Sequence, residues 1–162
     1  MKATFGAGCF WHVEDLLRKT KGVKSTQAGY IGGKLTNPTY EEVCTDATGH
    51  AEAVQVEYDP NEISYDELLK VFWSNHDPTS LNRQGPDIGN QYRSAIFFHD
   101  EEQKKIAQKS KEDLEKSGKF QKHIVTEIVP APEFYKAEEY HQKIFSETRT
   151  ILKLFYNEYW NF

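Results

Sequence analysis

The sequence predicts an α/β (α+β) fold, a two-layer sandwich with a mixed sheet and a ferredoxin-like core. Short apolar runs alternate with amphipathic stretches along the whole chain. The 162 residues suffice for one domain with a real core, assigned to 1–162. No repeat, low-complexity tract or linker interrupts them. Alternating strands and helices build a two-layer α/β domain. Separated strand–helix–strand units on a sheet that is not parallel throughout fit the ferredoxin-like plan.

Each element has its own warrant. Residues 2–6 read as a strand, and residues 10–20 as a helix, since Phe10, Val13, Leu16 and Leu17 recur at helical spacing. Residues 23–31 read as a strand ending at Gly32-Gly33. Asn37-Pro38-Thr39 opens a turn, with a short helix over Tyr40–Cys44. Residues 51–58 form a strand closed by Asp59-Pro60. Ser64-Tyr65-Asp66-Glu67 is a capping box for a helix that runs to about residue 75. His76 to Tyr92 is a long polar stretch with Pro78, Gly85, Pro86 and Gly89, and loops of that length tend to carry function. A strand follows over 93–99, a helix from Asp100 to about Lys116, and a strand over 124–129. Residues 138–145 read as helical, and 146–155 continue that helix or begin another.

Composition excludes several function classes. The chain has 25 acidic and 20 basic residues, a net charge of −5, which gives no support to nucleic-acid binding. Lys104, Lys105, Lys109 and Lys111 interleave with acids as a solvated helix face. No apolar run is long enough to span a bilayer, and no signal-peptide pattern opens the chain. The expectation is a cytoplasmic monomer with reduced thiols. Two cysteines, Cys9 and Cys44, are too few for a disulfide scaffold. The six histidines lack ligand-like spacing, and Cys44 with His50 is a weak zinc signal, so no metal is expected.

Cys9 is the most informative residue. It lies in Gly6-Ala7-Gly8-Cys9-Phe10-Trp11, between a strand and a helix. A thiol there meets the positive end of the helix dipole, which favours thiolate. Phe10 and Trp11 can wall a small apolar pocket. The same placement also fits a buried cysteine that packs as a small apolar residue. Glu52 shares a strand face with Val54, Val56 and Tyr58. A carboxyl on an apolar face has a raised pKa and can donate a proton near neutrality, whereas one at a frayed strand end is simply solvated. Tyr40 and Tyr92 sit beside turns, where a phenol can donate to a ligand oxygen or merely pack with a wet hydroxyl. Asp87, in the long loop, can anchor a ligand nitrogen or cap a turn. Thiolate, acid and phenols together suit attack on disulfides, peroxides, acyl groups or sulfoxides. A thiol peroxidase and a binding module without catalysis are the competing readings.

Gly8-Cys9-Phe10-Trp11 resembles the signature of the peptide methionine sulfoxide reductase A family. The resemblance continues through Ala28-Gly29-Tyr30, Asn37–Cys44, Thr48–Val54, His76–Thr79, Asn82–Ser94 and Ala137–Gln142, covering roughly residues 5 to 145. It implies that Cys9 attacks the sulfoxide sulfur of an oxidised methionine, free or in a protein. Glu52 would protonate the oxygen with help from Tyr40 and Tyr92. Phe10 and Trp11 would hold the methyl group, and Asp87 a substrate nitrogen. Cys9 would be left as a sulfenic acid, with selectivity for the S epimer. A two-layer plait and no cofactor are implied. The sequence departs from the family in two places. Its C-terminal residues Leu154–Phe162 lack the resolving cysteines that many members carry, so a glutaredoxin with glutathione, or a thioredoxin, is expected to restore Cys9. A Cys9–Cys44 disulfide is the minor alternative. His12 replaces a common glycine and is expected on the helix surface.

Overall fold

The computed structural model describes residues 1–145. The expectations for 146–155 and for the aromatic C-terminal stretch lie outside the described residues. Among the described residues, eight strands and four helices run in the order β1 (Lys2–Ala7), α1 (Phe10–Arg18), β2 (Val23–Ile31), α2 (Tyr40–Cys44), β3 (Ala51–Tyr58), α3 (Tyr65–Ser74), β4 (Arg83–Gln84), β5 (Asp87–Ile88), β6 (Ser94–Phe98), α4 (Glu101–Lys116), β7 (Glu127–Pro130) and β8 (Tyr135–Lys136).

The main sheet has the order β7-β6-β1-β3-β2-β8. Its four central strands, β6-β1-β3-β2, pair antiparallel throughout, with α1 and α3 as the crossovers. That is the ferredoxin-like plait. β7 pairs parallel to β6 at one edge and β8 antiparallel to β2 at the other, so the sheet is mixed. The main core lies between sheet and helices: Phe5, Tyr30, Val54, Val56 and Ile96 meet Phe10, Val13 and Leu17 of α1 and Leu68, Leu69 and Phe72 of α3. Ile31, Ala51, Ala53, Ala95 and Phe97 form a smaller cluster on the opposite face with Val129 and Phe134. Strand alternation accounts for this division.

Local chemistry sets the element ends. The Ser64 capping box forms as expected, with Ser64 accepting from Glu67 N and Glu67 accepting from Ser64 N. Asp100 caps α4 by accepting from Gln103 N. The long polar stretch holds the β4–β5 hairpin and one 3₁₀ turn, Asn90–Tyr92. Buried Gln84 ties the hairpin down, accepting from Asp77 N at 2.8 Å and donating to Asp77 O at 2.9 Å.

Two expectations are corrected. The strand expected over 124–129 begins only at Glu127, because Ile124 N is taken by Glu115 Oε1 and Val125 N by Pro78 O. Residues 138–145 hold only a 3₁₀ turn, Glu139–His141. Gln142 commits its amide to Ala28 N, Ala28 O and Ala137 O, and Lys143 has φ 50°, which no α-helix continues.

Candidate active site

Gly8 makes the turn from β1 into α1 at φ 93°, a region glycine enters without a steric penalty. Cys9 is then the N-cap residue of α1, its carbonyl accepting from His12 N and Val13 N. The thiol is 7% exposed. It therefore sits where the free N–H groups of the helix create positive potential.

Glu52 lies on the helix-facing side of β3 and is 1% exposed. Its Oε1 accepts the Phe10 N–H at 3.2 Å, which links the carboxyl directly to the turn that carries Cys9. Oε2 has no hydrogen-bond partner. The Gln91 amide faces the same carboxylate and also donates to Cys44 Sγ at 3.6 Å. Burial pushes the Glu52 pKa up to about 8, while the Phe10 and Gln91 amides pull against it and Asp87 adds to it. The frayed-end alternative does not occur.

The turns bring the other residues in. Tyr40 begins α2 behind the Thr39 cap. Burial raises its pKa first, then hydrogen bonding to Cys44 and the nearby Glu52 charge. Asp46 accepts from Asn90 N at 2.7 Å and fastens the Asn90–Tyr92 turn beside α2. Tyr92 is thereby held among Glu52, Asp87, Cys9 and Cys44, with its pKa raised chiefly by burial. Asp87 leaves Oδ2 buried without a hydrogen bond, and burial raises its pKa too.

Phe10 is buried, with its ring 6.5 Å from Tyr40 and 5.1 Å from His141. Trp11 is half-buried and donates its indole N–H to His141 Nδ1 at 2.8 Å. Cys9, Glu52, Tyr40, Tyr92 and Asp87 thus share one neighbourhood, with Phe10 and Trp11 along its wall. Sequence reasoning missed Gln91 and His141; neither has a local pattern that sets it apart, because each reaches the site through long-range packing.

His12 departs from its expected open helix surface. It is half-buried, lines a narrow crevice with Phe5, Leu16 and Phe72, and has its pKa lowered chiefly by burial. His50 spends both ring nitrogens on the 33–35 turn, accepting from Gly33 N at 3.0 Å and pairing with Leu35 O at 2.7 Å. Among the described residues, no group of three or more His, Cys, Asp or Glu could hold a metal ion. No described helix is long and apolar enough to cross a membrane.

A ferredoxin-like domain with a thiol at a helix N-cap position near a buried carboxyl suits thiol-dependent chemistry, and comparison narrows the class. The family described as peptide methionine sulfoxide reductase matches residues 1–158. The peptide methionine sulfoxide reductase MsrA of Methanothermobacter thermautotrophicus is 63% identical over 142 residues, covering 88% of this chain and 84% of the relative. The reduced crystal form of Mxr1 from Saccharomyces cerevisiae is similar at TM-score 0.84 and 36% identity, covering 92% of this chain and 86% of that one. Mxr1 in complex with Trx2 matches at TM-score 0.64 and 29% identity, covering 88% of this chain and 83% of that one. This chain belongs to the peptide methionine sulfoxide reductase A family, oxidoreductases that act on methionine sulfoxide.

Proposed function

We propose that this chain reduces methionine-S-sulfoxide, free or within peptides and proteins, through Cys9, and so repairs oxidised proteins. The observation that carries the reading is the bond from Phe10 N to Glu52 Oε1, which sets a proton-bearing carboxyl beside the turn that holds the thiol.

The Cys9 thiolate attacks the sulfoxide sulfur. A sulfoxide oxygen leaves poorly unless protonated, so Glu52 supplies a proton as the sulfur–oxygen bond breaks, and Tyr40 and Tyr92 hydrogen-bond the developing charge. Phe10 and Trp11 hold the methyl and exclude water, and Asp87 takes a substrate nitrogen. The oxygen departs as hydroxide and then adds to the Cys9 sulfur as the sulfur–sulfur bond breaks and methionine leaves, so the substrate sulfur is reduced by two electrons. The Cys9 sulfur is oxidised by two and ends as a sulfenic acid. One external thiol then forms a mixed disulfide and releases water, and a second regenerates Cys9. The Mxr1–Trx2 complex supports a thioredoxin in that role, and glutaredoxin with glutathione has the same chemistry. Cys9 acts as the single catalytic cysteine of a monomeric cytoplasmic domain spanning 1–162, with no metal or cofactor.

Mass spectrometry after treatment with one equivalent of methionine-S-sulfoxide, without reductant, tests this. Methionine should form stoichiometrically and the chain should gain one oxygen. Loss of two hydrogens would instead indicate a Cys9–Cys44 disulfide. Activity on a peroxide but none on methyl sulfoxides would sink the proposal.

A further inference from the structure

We infer that His141 is a positioning residue for the substrate wall: its Nδ1 accepts the Trp11 indole N–H at 2.8 Å and so fixes the indole face offered to the sulfoxide methyl. The inference rests on the proposed role of Trp11 as that wall.

A ring nitrogen can accept from an indole only when it carries no proton. The surroundings of His141 enforce that state. Nε2 lies 3.6 Å from Glu138 Oε2, a carboxylate that favours the proton on Nε2 and leaves the Nδ1 lone pair for Trp11. Glu138 is itself fixed, accepting the Tyr30 hydroxyl on Oε1 at 3.2 Å and the Tyr140 hydroxyl on Oε2 at 3.0 Å. The imidazole is 1% exposed and packed between Tyr40 and Tyr140, at centroid distances of 4.4 and 4.1 Å. Burial favours the neutral ring and outweighs the opposing pull of the Glu138 charge.

The backbone beneath it is anchored on both sides. Lys143 N donates to Glu14 Oε2 at 2.8 Å, and the Gln142 amide straps the segment to Ala28. One imidazole thus links Trp11 to Tyr40, a wall residue to an oxygen donor.

Single-turnover reduction of methionine-S-sulfoxide by the full chain reads the effect. In His141→Leu the sulfoxide concentration for half-maximal rate should rise about fivefold, as for one lost hydrogen bond. The maximal rate should stay within about twofold, the pattern of lost ground-state positioning. His141→Asn, whose amide oxygen can reach the Nδ1 position, should recover most of the loss. In a Trp11→Phe background, His141→Leu should have little further effect. If Trp11→Phe leaves half-saturation unchanged, the wall fails and the inference with it. If Trp11→Phe is defective but His141→Leu acts equally in both backgrounds, the inference alone is overturned. Should His141→Leu not fold, the wild-type indole proton resonance decides, assigned by its loss in Trp11→Phe. A downfield, hydrogen-bonded position supports the inference, and a free-indole position overturns it.

Discussion

Glu14 on α1 and Glu52 on β3 are each 1% exposed, yet their surroundings differ. Glu14 has both oxygens matched: Oε1 accepts the Thr26 hydroxyl at 2.9 Å, and Oε2 accepts Lys143 N at 2.8 Å. Glu52 has one oxygen matched, by Phe10 N, and the other unmet. Burial by itself therefore does not make a carboxyl an acid catalyst. A carboxyl with both oxygens bonded is a strut between chain segments. One left half-satisfied in an apolar setting carries a desolvation cost that protonation relieves, and it has a free oxygen to turn toward a ligand.

The largest effect that would test this contrast is on rate. Glu52→Gln should slow the single-turnover chemical step by about 10²–10⁴-fold, the usual loss without a general acid. The wild-type rate should also fall above pH about 8 as Glu52 loses its proton, and the variant should lack that limb. Wild-type single-turnover rates in the variant would break the contrast. The next effect is on stability. The folded pKa of Glu52, about 8, lies above its ordinary value of 4.5, so between them the native chain holds a proton that the unfolded chain has released. Stability should fall as pH rises through that window, by at most about 1.4 kcal/mol per pH unit from this one group. Denaturant titrations of wild type and Glu52→Gln should converge near pH 4 and favour the variant at pH 8.

Glu14 should behave in the opposite way. Glu14→Leu should cost about 1–3 kcal/mol by stranding the Thr26 and Lys143 donors, with a smaller loss in the chemical step than Glu52→Gln causes. The smallest effect is expected for Thr26→Val, about 1 kcal/mol from one removed hydrogen bond, measured by the same titrations. A Thr26→Val loss as large as that of Glu14→Leu would mean that the Lys143 contact contributes little.

Local rules made much of this legible in the sequence. The Ser64 box, the Thr39 turn and the phase of β3 depend on neighbours a few residues apart, and they appear where the pattern puts them. The same phase placed Glu52 on the apolar face. The turn at Gly8 placed Cys9 at a helix start. Illegible were features decided by distant partners. β8 exists because Tyr135 and Lys136 reach the edge of β2 more than a hundred residues earlier in the chain. Residues 138–145 carry a helical pattern, but Gln142 and Lys143 bond to Ala28 and Glu14 instead. His141 and Gln91 enter the site by the same route and leave no periodic trace.

The pairing of β1 with β3 sets Phe5 opposite Val54, with Cys9 just beyond the end of β1 and Glu52 near the start of β3. The spacing of the proposed nucleophile and acid is thus gauged by a backbone ladder rather than by a hinge. A slip of one rung would turn Glu52 to the other side of the sheet, and a slip of two would carry it about 7 Å along the strand. The ladder works as a caliper with only discrete settings. Chemistry should therefore be lost all at once when the two strands shear, while a sheet shifted by a rung could still present its helices with a hydrogen-bonded floor.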